Sequence, residues 1–337
     1  MINNLEPSTK IIFKVVFVTL ALAFLWAVKD IVLLFLLSVI LASAMEPMAE
    51  YLNQKQRIPR AVSVLAVYIF VFGFTALVIY LLIPPALEQF KILSQNLPEY
   101  ASEFEQRFGL RFIKGLNLAN LFGNFLSQGG ENAVFKRTFG VFNGLFSFVT
   151  VLVISFYLVA EERGMKNFIA TLIPQKHQEF TMGLIEKIQR KMGLWVLGQI
   201  ILSLVIFALT FIGLTILGVK YALFLALLAG LLEIVPYIGP FVSAVPAIFF
   251  VVLKSPPLGL AVAILYLIIQ KIEGYVLVPK VMEKTVGTSP LVVLLALLVG
   301  FKLAGILGLL IAVPLASAIT VVVNELSAIK SQQDQVV

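Results

Sequence analysis

The residues best equipped for chemistry cluster in Glu233-Ile-Val-Pro-Tyr-Ile-Gly-Pro240, a polar and helix-breaking stretch set between Leu-rich runs with almost no charge. Glu233 supplies a carboxylate, while Pro236, Gly239 and Pro240, with Tyr237 among them, interrupt regular helix. In hydrocarbon every backbone N–H and C=O must be bonded within the protein, so such a break is tolerated only when buried in protein or lining a polar cavity. An intramembrane Glu is costly and marks an ion or substrate pathway. Two roles are open to Glu233: it bonds the broken backbone near Pro236, or it binds a proton, a cation or a polar substrate. A carboxyl group withdrawn from water holds its proton more tightly, which suits proton coupling.

Further polar groups could join it. Glu273 lies near Gln270 and Lys271 at an expected cytoplasmic helix end, where an interfacial ion pair is the simpler role. Gly287-Thr-Ser-Pro-Leu291 opens an apolar run. There Thr288 and Ser289 can cap a helix, and Pro290 suits its first turn. A half-helix N-terminus offers free N–H groups to an anion or a polar oxygen. Gln199, isolated in an apolar run, either lines the same cavity or bonds across helices. Gly300, Gly305 and Gly308 permit close helix packing. The expectation is one polar cavity near mid-membrane, bordered by Glu233, Pro236, Gly239, Pro240, Gln270 and residues 288–290.

Other chemistry is excluded. The chain has no cysteine, and His177 is its only histidine, which removes thiolate and His-rich metal sites. No P-loop, HExxH or GxSxG motif occurs, so the chain carries no ATP engine and no visible nucleophile–base pair. An enzyme, a cofactor and a resident metal are therefore not expected. The net charge of +7 invites a nucleic-acid reading. The cations flank apolar runs rather than clustering with aromatics, as membrane topology requires, so no nucleic-acid partner is expected.

The elements that position these residues follow from composition. Of 337 residues 60% are hydrophobic and 13% charged, where a soluble chain is nearer half apolar and a quarter charged. The fold class is all-α: a polytopic transmembrane helical protein with broken or re-entrant helices in its C-terminal half and amphipathic helices outside the bilayer. A spanning helix needs roughly 20 apolar residues. Residues 11–28, 31–45, 61–84, 139–160 and 192–217 meet or approach that length, the first read as a retained membrane helix and Lys29-Asp30 as the break before the second. The chain divides into three spans (1–84), an extramembrane amphipathic segment (85–137), a transport core (138–327) containing a cytoplasmic amphipathic helix at 161–191, and a disordered tail (328–337). In 85–137, Asn96 is expected to cap a helix resting on the membrane or on the chain's own helices. The 161–191 helix is expected to lie on anionic lipid. With a cytoplasmic N-terminus, 14 Lys and Arg residues flanking the spans fall on one side, which places both termini in the cytoplasm.

The C-terminal third admits two topologies, because 221–236 and 237–253 are short arms meeting at the Pro-rich break, and Lys302 divides 291–324. Each arm crosses separately, or 221–254 and 288–323 are hairpins, the first opening outward and the second inward; half-length, Pro/Gly-interrupted pairs favour hairpins. A faint repeat supports the pairing. Leu225-Ala-Leu-Leu-Ala-Gly230 matches Leu295-Ala-Leu-Leu-Val-Gly300, and Ala244-Val-Pro246 matches Ala312-Val-Pro314.

The Glu233–Pro240 run resembles the AI-2 exporter (AI-2E, PerM-like) transporters. So do Gln270 with Glu273, Val278-Pro279, and the Gly300…Gly305…Gly308…Val313-Pro314 ending, together with Pro59-Arg60 and Phe156-Tyr157-Leu158. The resemblance implies a bacterial inner-membrane protein that forms homo-oligomers, with pentamers among the implied assemblies. Some members are linked to export of autoinducer-2 in quorum sensing, others to sodium(lithium)/proton antiport. The expected function is thus secondary transport or export of a small polar molecule, passive or coupled to an ion gradient. A cation/proton antiporter and a non-transporting scaffold are the alternatives. The expected partners are membrane lipids, a solute or cation, and further copies of the chain.

Overall fold

A computed structural model of the chain describes residues 16–20, 23, 24, 26–108, 131–161, 171, 173–282 and 289–334, and among these no strand occurs. The elements are α1 (Lys29–Gln56), α2 (Arg60–Phe108), α3 (Glu131–Ala160), α4 (Gln175–Ile216), α5 (Ala222–Leu232), α6 (Ile238–Lys254), α7 (Pro256–Ile272), a π-helical turn (Glu273–Leu277), α8 (Val278–Met282) and α9 (Pro290–Asp334). Among the described residues, Lys29–Lys55, Arg60–Asn96, Gln175–Ile216, Pro256–Met282 and Pro290–Ala328 are long and apolar enough to cross a membrane. The fold is all-α and embedded in the membrane. Large side chains such as Phe70, Ile216 and Leu298 lie exposed, as a lipid-facing surface demands.

α4 is the measuring rod of the bundle. Near its start, Lys187 pairs with Glu325 of α9 at 2.6 Å. About 40 Å further along, at 1.5 Å per residue, Leu214 joins the core that α5, α6 and α7 build with Tyr221, Phe250 and Val262. Against its first half packs α1, closely enough that a Cβ on Gly193 would collide with the Ser43 carbonyl. α1, α2 and α3 share a second core around Ala44, Val64, Tyr68 and Val159. The Arg60 guanidinium donates to the Val159 carbonyl at 2.8 Å and lies 3.5 Å from Glu46. Basic residues Lys55, Arg57 and Arg60, around the turn between α1 and α2, thus mark one end of the bundle.

Several expected boundaries shift. A helical bond from Val32 N–H to the Val28 carbonyl crosses the Lys29-Asp30 step, and Val28 N–H donates to the Phe24 carbonyl just before it. That step is therefore a bend at Val28 (φ −99°, ψ 8°) rather than a break. α2 passes through Pro84, Pro85 and Pro98 without interruption and projects past its apolar stretch. Asn96 sits inside this helix instead of capping a new one. Proline costs a backbone bond, but tertiary packing compensates: Leu93 is fully buried against the α5–α6 core. Residues 175–191 likewise continue straight into α4, with Pro174 just before the first turn. Ile188 packs against Ile40, Met192 and Ile311, so it serves the protein's own core. α9 is helical to Asp334, inside the expected disordered tail. Most of 109–137, most of 161–172, and 335–337 lie outside the described residues.

The C-terminal third forms two hairpins. α5 and α6 have 11 and 17 residues, below the roughly 20 a crossing needs, and they pack on each other. α9 is two arms joined at Ala304 (φ −142°, ψ 17°) and Gly305 (φ 58°, ψ −133°). Eight residues along a straight helix span about 12 Å. The Gly300 and Gly308 main chains instead lie so close that neither tolerates a Cβ, so the chain reverses between them.

Candidate functional site

Glu233 ends α5, and the loop after it turns tightly. Ile234 and Val235 make i→i+3 bonds back to Leu231 and Leu232, and Ile238 N–H donates to the Pro236 carbonyl at 2.7 Å. Tyr237, between those two, has φ 64° and ψ −43°. This is the positive-φ γ-turn, a rare and strained geometry. Gly239 lets α6 restart directly beneath α5, because a Cβ there would collide with the Leu232 carbonyl. The Gln199 amide donates to the Glu233 carbonyl, replacing a helical bond that the break removes. Pro236, Tyr237 and Gly239 therefore shape the turn, while Glu233 is left to point its carboxylate inward.

That carboxylate opens on a cavity of about 200 Å³. α4 contributes Trp195, Gln199 and Leu202; the hairpin tip contributes Glu233, Pro236 and Tyr237; α7 and the π-turn contribute Gln270, Glu273 and Gly274. Val293 and Val313, one from each arm of α9, close it. Glu233 is 1% exposed and Glu273 7%. Glu273 Oε2 accepts from the Gln270 amide at 3.3 Å, whereas Glu233 Oε2 is buried with no hydrogen-bond partner among the described residues. Among the described residues no Lys, Arg or His lines the cavity. The described residues hold no group of three or more His, Cys, Asp or Glu placed to hold a metal ion. Gln199 lies seven residues, about 10 Å, inside the apolar stretch that begins at Met192. A larger groove of about 410 Å³ between α1 and the arms of α9 is lined almost wholly by apolar side chains such as Leu33, Leu36 and Leu303 and offers a polar ligand little to hold.

The geometry unites Gln199, Glu233, Pro236, Tyr237, Gln270 and Glu273. Of the two roles open to Glu273, pathway residue or interfacial ion pair, its burial beside Glu233 in the cavity lining fits the first. Its place at the end of α7 made it look solvated, but the π-turn keeps it on the inward face, a device frequent at functional sites. Lys271 instead stands over the Tyr275 ring, 5.3 Å from its centre. Gly239 and Pro240 lie behind the turn and outside the cavity lining. Ser289 and Pro290 are exposed at the start of α9, away from the cavity; Ser289 Oγ accepts from Val292 N–H at 3.5 Å as a loose cap. Thr288 lies outside the described residues. Pro279 sits in the short α8, and Pro314 is buried beside Val313 in the second arm of α9. Trp195 and Met282 were not expected in the lining; each is one apolar residue among many in sequence, and only their position distinguishes them.

Half-helices meeting around buried carboxylates inside an apolar bundle define a polytopic membrane transporter. Comparison with known proteins narrows the class: the sequence profile of the AI-2E family transporters matches residues 15–328. The chain belongs to the AI-2E transporter family. It is 27% identical over 333 residues to YrrI of Bacillus subtilis, covering 92% of each chain. It is 29% identical over 341 residues to a Haemophilus influenzae protein, covering 95% of this chain and 94% of that one. It is 28% identical over 323 residues to YhhT of Escherichia coli K12, covering 93% and 89%. All three carry provisional names as transport proteins.

Proposed function

We propose that this chain is a secondary transporter that carries a small polar solute through the Glu233–Glu273 cavity, with Glu233 as its coupling group. The observation that carries the reading is Glu233 itself: fully buried, at the meeting point of two half-helices, with one carboxylate oxygen unbonded among the described residues and facing a cavity that also holds Gln199, Gln270 and Glu273. A structural role alone leaves that oxygen unexplained, because an unpaired buried polar group is costly. The family supports transport of autoinducer-2 as one candidate cargo. Sodium(lithium)/proton antiport is the second reading, favoured by two carboxylates in a cavity with no cationic side chain.

Reconstitution in proteoliposomes separates these readings. Autoinducer-2 flux that responds to a pH gradient supports solute export; proton movement driven by sodium or lithium alone supports antiport. Absence of both, with folded protein in the vesicles, leaves the scaffold reading. The basic end of the bundle is proposed to face the cytoplasm of a bacterial inner membrane. A cysteine placed at Ser331 in this cysteine-free chain should resist a membrane-impermeant thiol reagent in intact cells, and labelling there overturns the orientation.

A further inference from the structure

We infer that Gln89 is a positioning residue for the transport site, acting on Glu233 through the half-helix α5; the inference rests on the transport reading above. The first-turn N–H groups of a helix lack intrahelical partners, and α5 receives no side-chain cap from its own N-cap residue, Tyr221. The bond comes from 135 residues away: Phe224 N–H donates to Gln89 Oε1 on α2 at 3.1 Å. The Phe90 ring lies 5.0 Å from that of Phe224. The Tyr221 hydroxyl bonds that of Tyr100 at 3.2 Å and accepts from Asn96 at 3.5 Å.

At the other end of α5, the Gln199 amide donates to the Glu233 carbonyl. An 11-residue helix, about 16 Å long, is thus held at both ends by glutamines of long neighbouring helices. An acceptor meets the end with spare N–H groups, and a donor meets the end with spare carbonyls. Along its side, Gly230 brings α5 against α4 so closely that a Cβ would lie 2.8 Å from Phe207 Cβ and 3.0 Å from the Ser203 carbonyl. That contact fixes α5 against α4, and the bonds at its two ends add to the packing that sets its axial position. The height of Glu233 in the cavity therefore depends on Gln89, which never touches the cavity.

The test uses Ile234→Cys, a partly exposed loop reporter next to Glu233, in the full-length chain reconstituted in vesicles. The rate of maleimide labelling is compared in three backgrounds. Gln89→Leu removes the acceptor; Gln89→Glu retains one and adds a negative charge that the helix N-terminus favours. Loss of one hydrogen bond should raise labelling roughly threefold to tenfold in the Leu background, and the Glu background should restore the original rate. Equal rates in all three, or a rise that Glu does not reverse, overturns the proposal. If Gln89→Leu yields no folded protein, Gln89→Met, unbranched and without an oxygen acceptor, takes its place. Because the labelling needs no cargo, it separates this proposal from the transport reading, which stands or falls with Glu233→Gln flux.

Discussion

The hairpin of α5 and α6 and the hairpin within α9 share sequence landmarks but turn in different ways. In each, a residue of positive φ, Tyr237 or Gly305, precedes a proline, Pro246 or Pro314, by nine residues. The matched glycines Gly230 and Gly300 lie seven and five residues before those turns. The first hairpin uses its two extra residues for the strained Tyr237 turn and carries Glu233 at its tip, with Gly239 packed on the Leu232 carbonyl. The second closes tightly, Gly300 on Gly308, and presents only Val293 and Val313 to the cavity. One hairpin holds chemistry and the other walls it. The contrast shows how two residues of loop convert a packing element into a binding element.

Five substitutions test that contrast. The largest expected effect is that of Glu233→Gln, nearly isosteric and unable to ionise. A bond to a charged group contributes about 1.5–3 kcal/mol and 1.4 kcal/mol is tenfold, so flux in proteoliposomes should fall roughly 10- to 100-fold and lose its pH dependence. Thermal unfolding should be unchanged. Wild-type flux with the same pH profile would reduce Glu233 to a structural group. Glu273→Gln should sit at the lower end of that range, since the Gln270 amide remains to hold the new side chain.

Gly308→Val should show the opposite signature. Its side chain would force the arms of α9 apart, and overpacking costs about 3 kcal/mol. A large fall in melting temperature and in yield of folded protein is expected before any flux is measured. A Gly308→Val protein as stable as the parent would mean that the α9 arms are not tightly apposed. Tyr237→Gly should go the other way, relieving about 1 kcal/mol of backbone strain. A raised melting temperature with impaired transport would show the strained turn to be functional; a lowered one would show that the Tyr237 side chain contributes more than its backbone costs.

The smallest effect belongs to the contact between α2 and the start of α5. Tyr100, beyond the apolar stretch of α2, is pushed up to about 12 by its hydrogen bond to Tyr221 and then by burial. A phenol with a folded value above the ordinary 10 contributes stability that is complete below pH 10 and lost as pH rises through about 12. Ultraviolet titration of Tyr100→Phe should show one fewer late-ionising tyrosine than the parent protein. A Tyr100 that ionises near 10 would mean that the α2 extension is not bonded to α5.

Much of this architecture was legible in the sequence. Hydrocarbon tolerates neither unbonded backbone nor stray charge, so the composition, the long apolar runs and the Glu233–Pro240 break each had few possible meanings. Gln199 and Gln270 could be singled out for the same reason, as polar groups without a local excuse. Tertiary structure decided the rest. Whether 221–254 turned back or crossed depended on packing between arms that are equally apolar in either topology. The continuity of α2 through three prolines depended on Leu93 and Phe90 finding α5. Glu273 faces the site because a π-turn reset the face on which it lies, a rotation that no local preference encodes. Gln89 had no signal at all, since its partner is a backbone N–H 135 residues away. Backbone groups are identical along the chain, so only the folded arrangement specifies which one a side chain will meet.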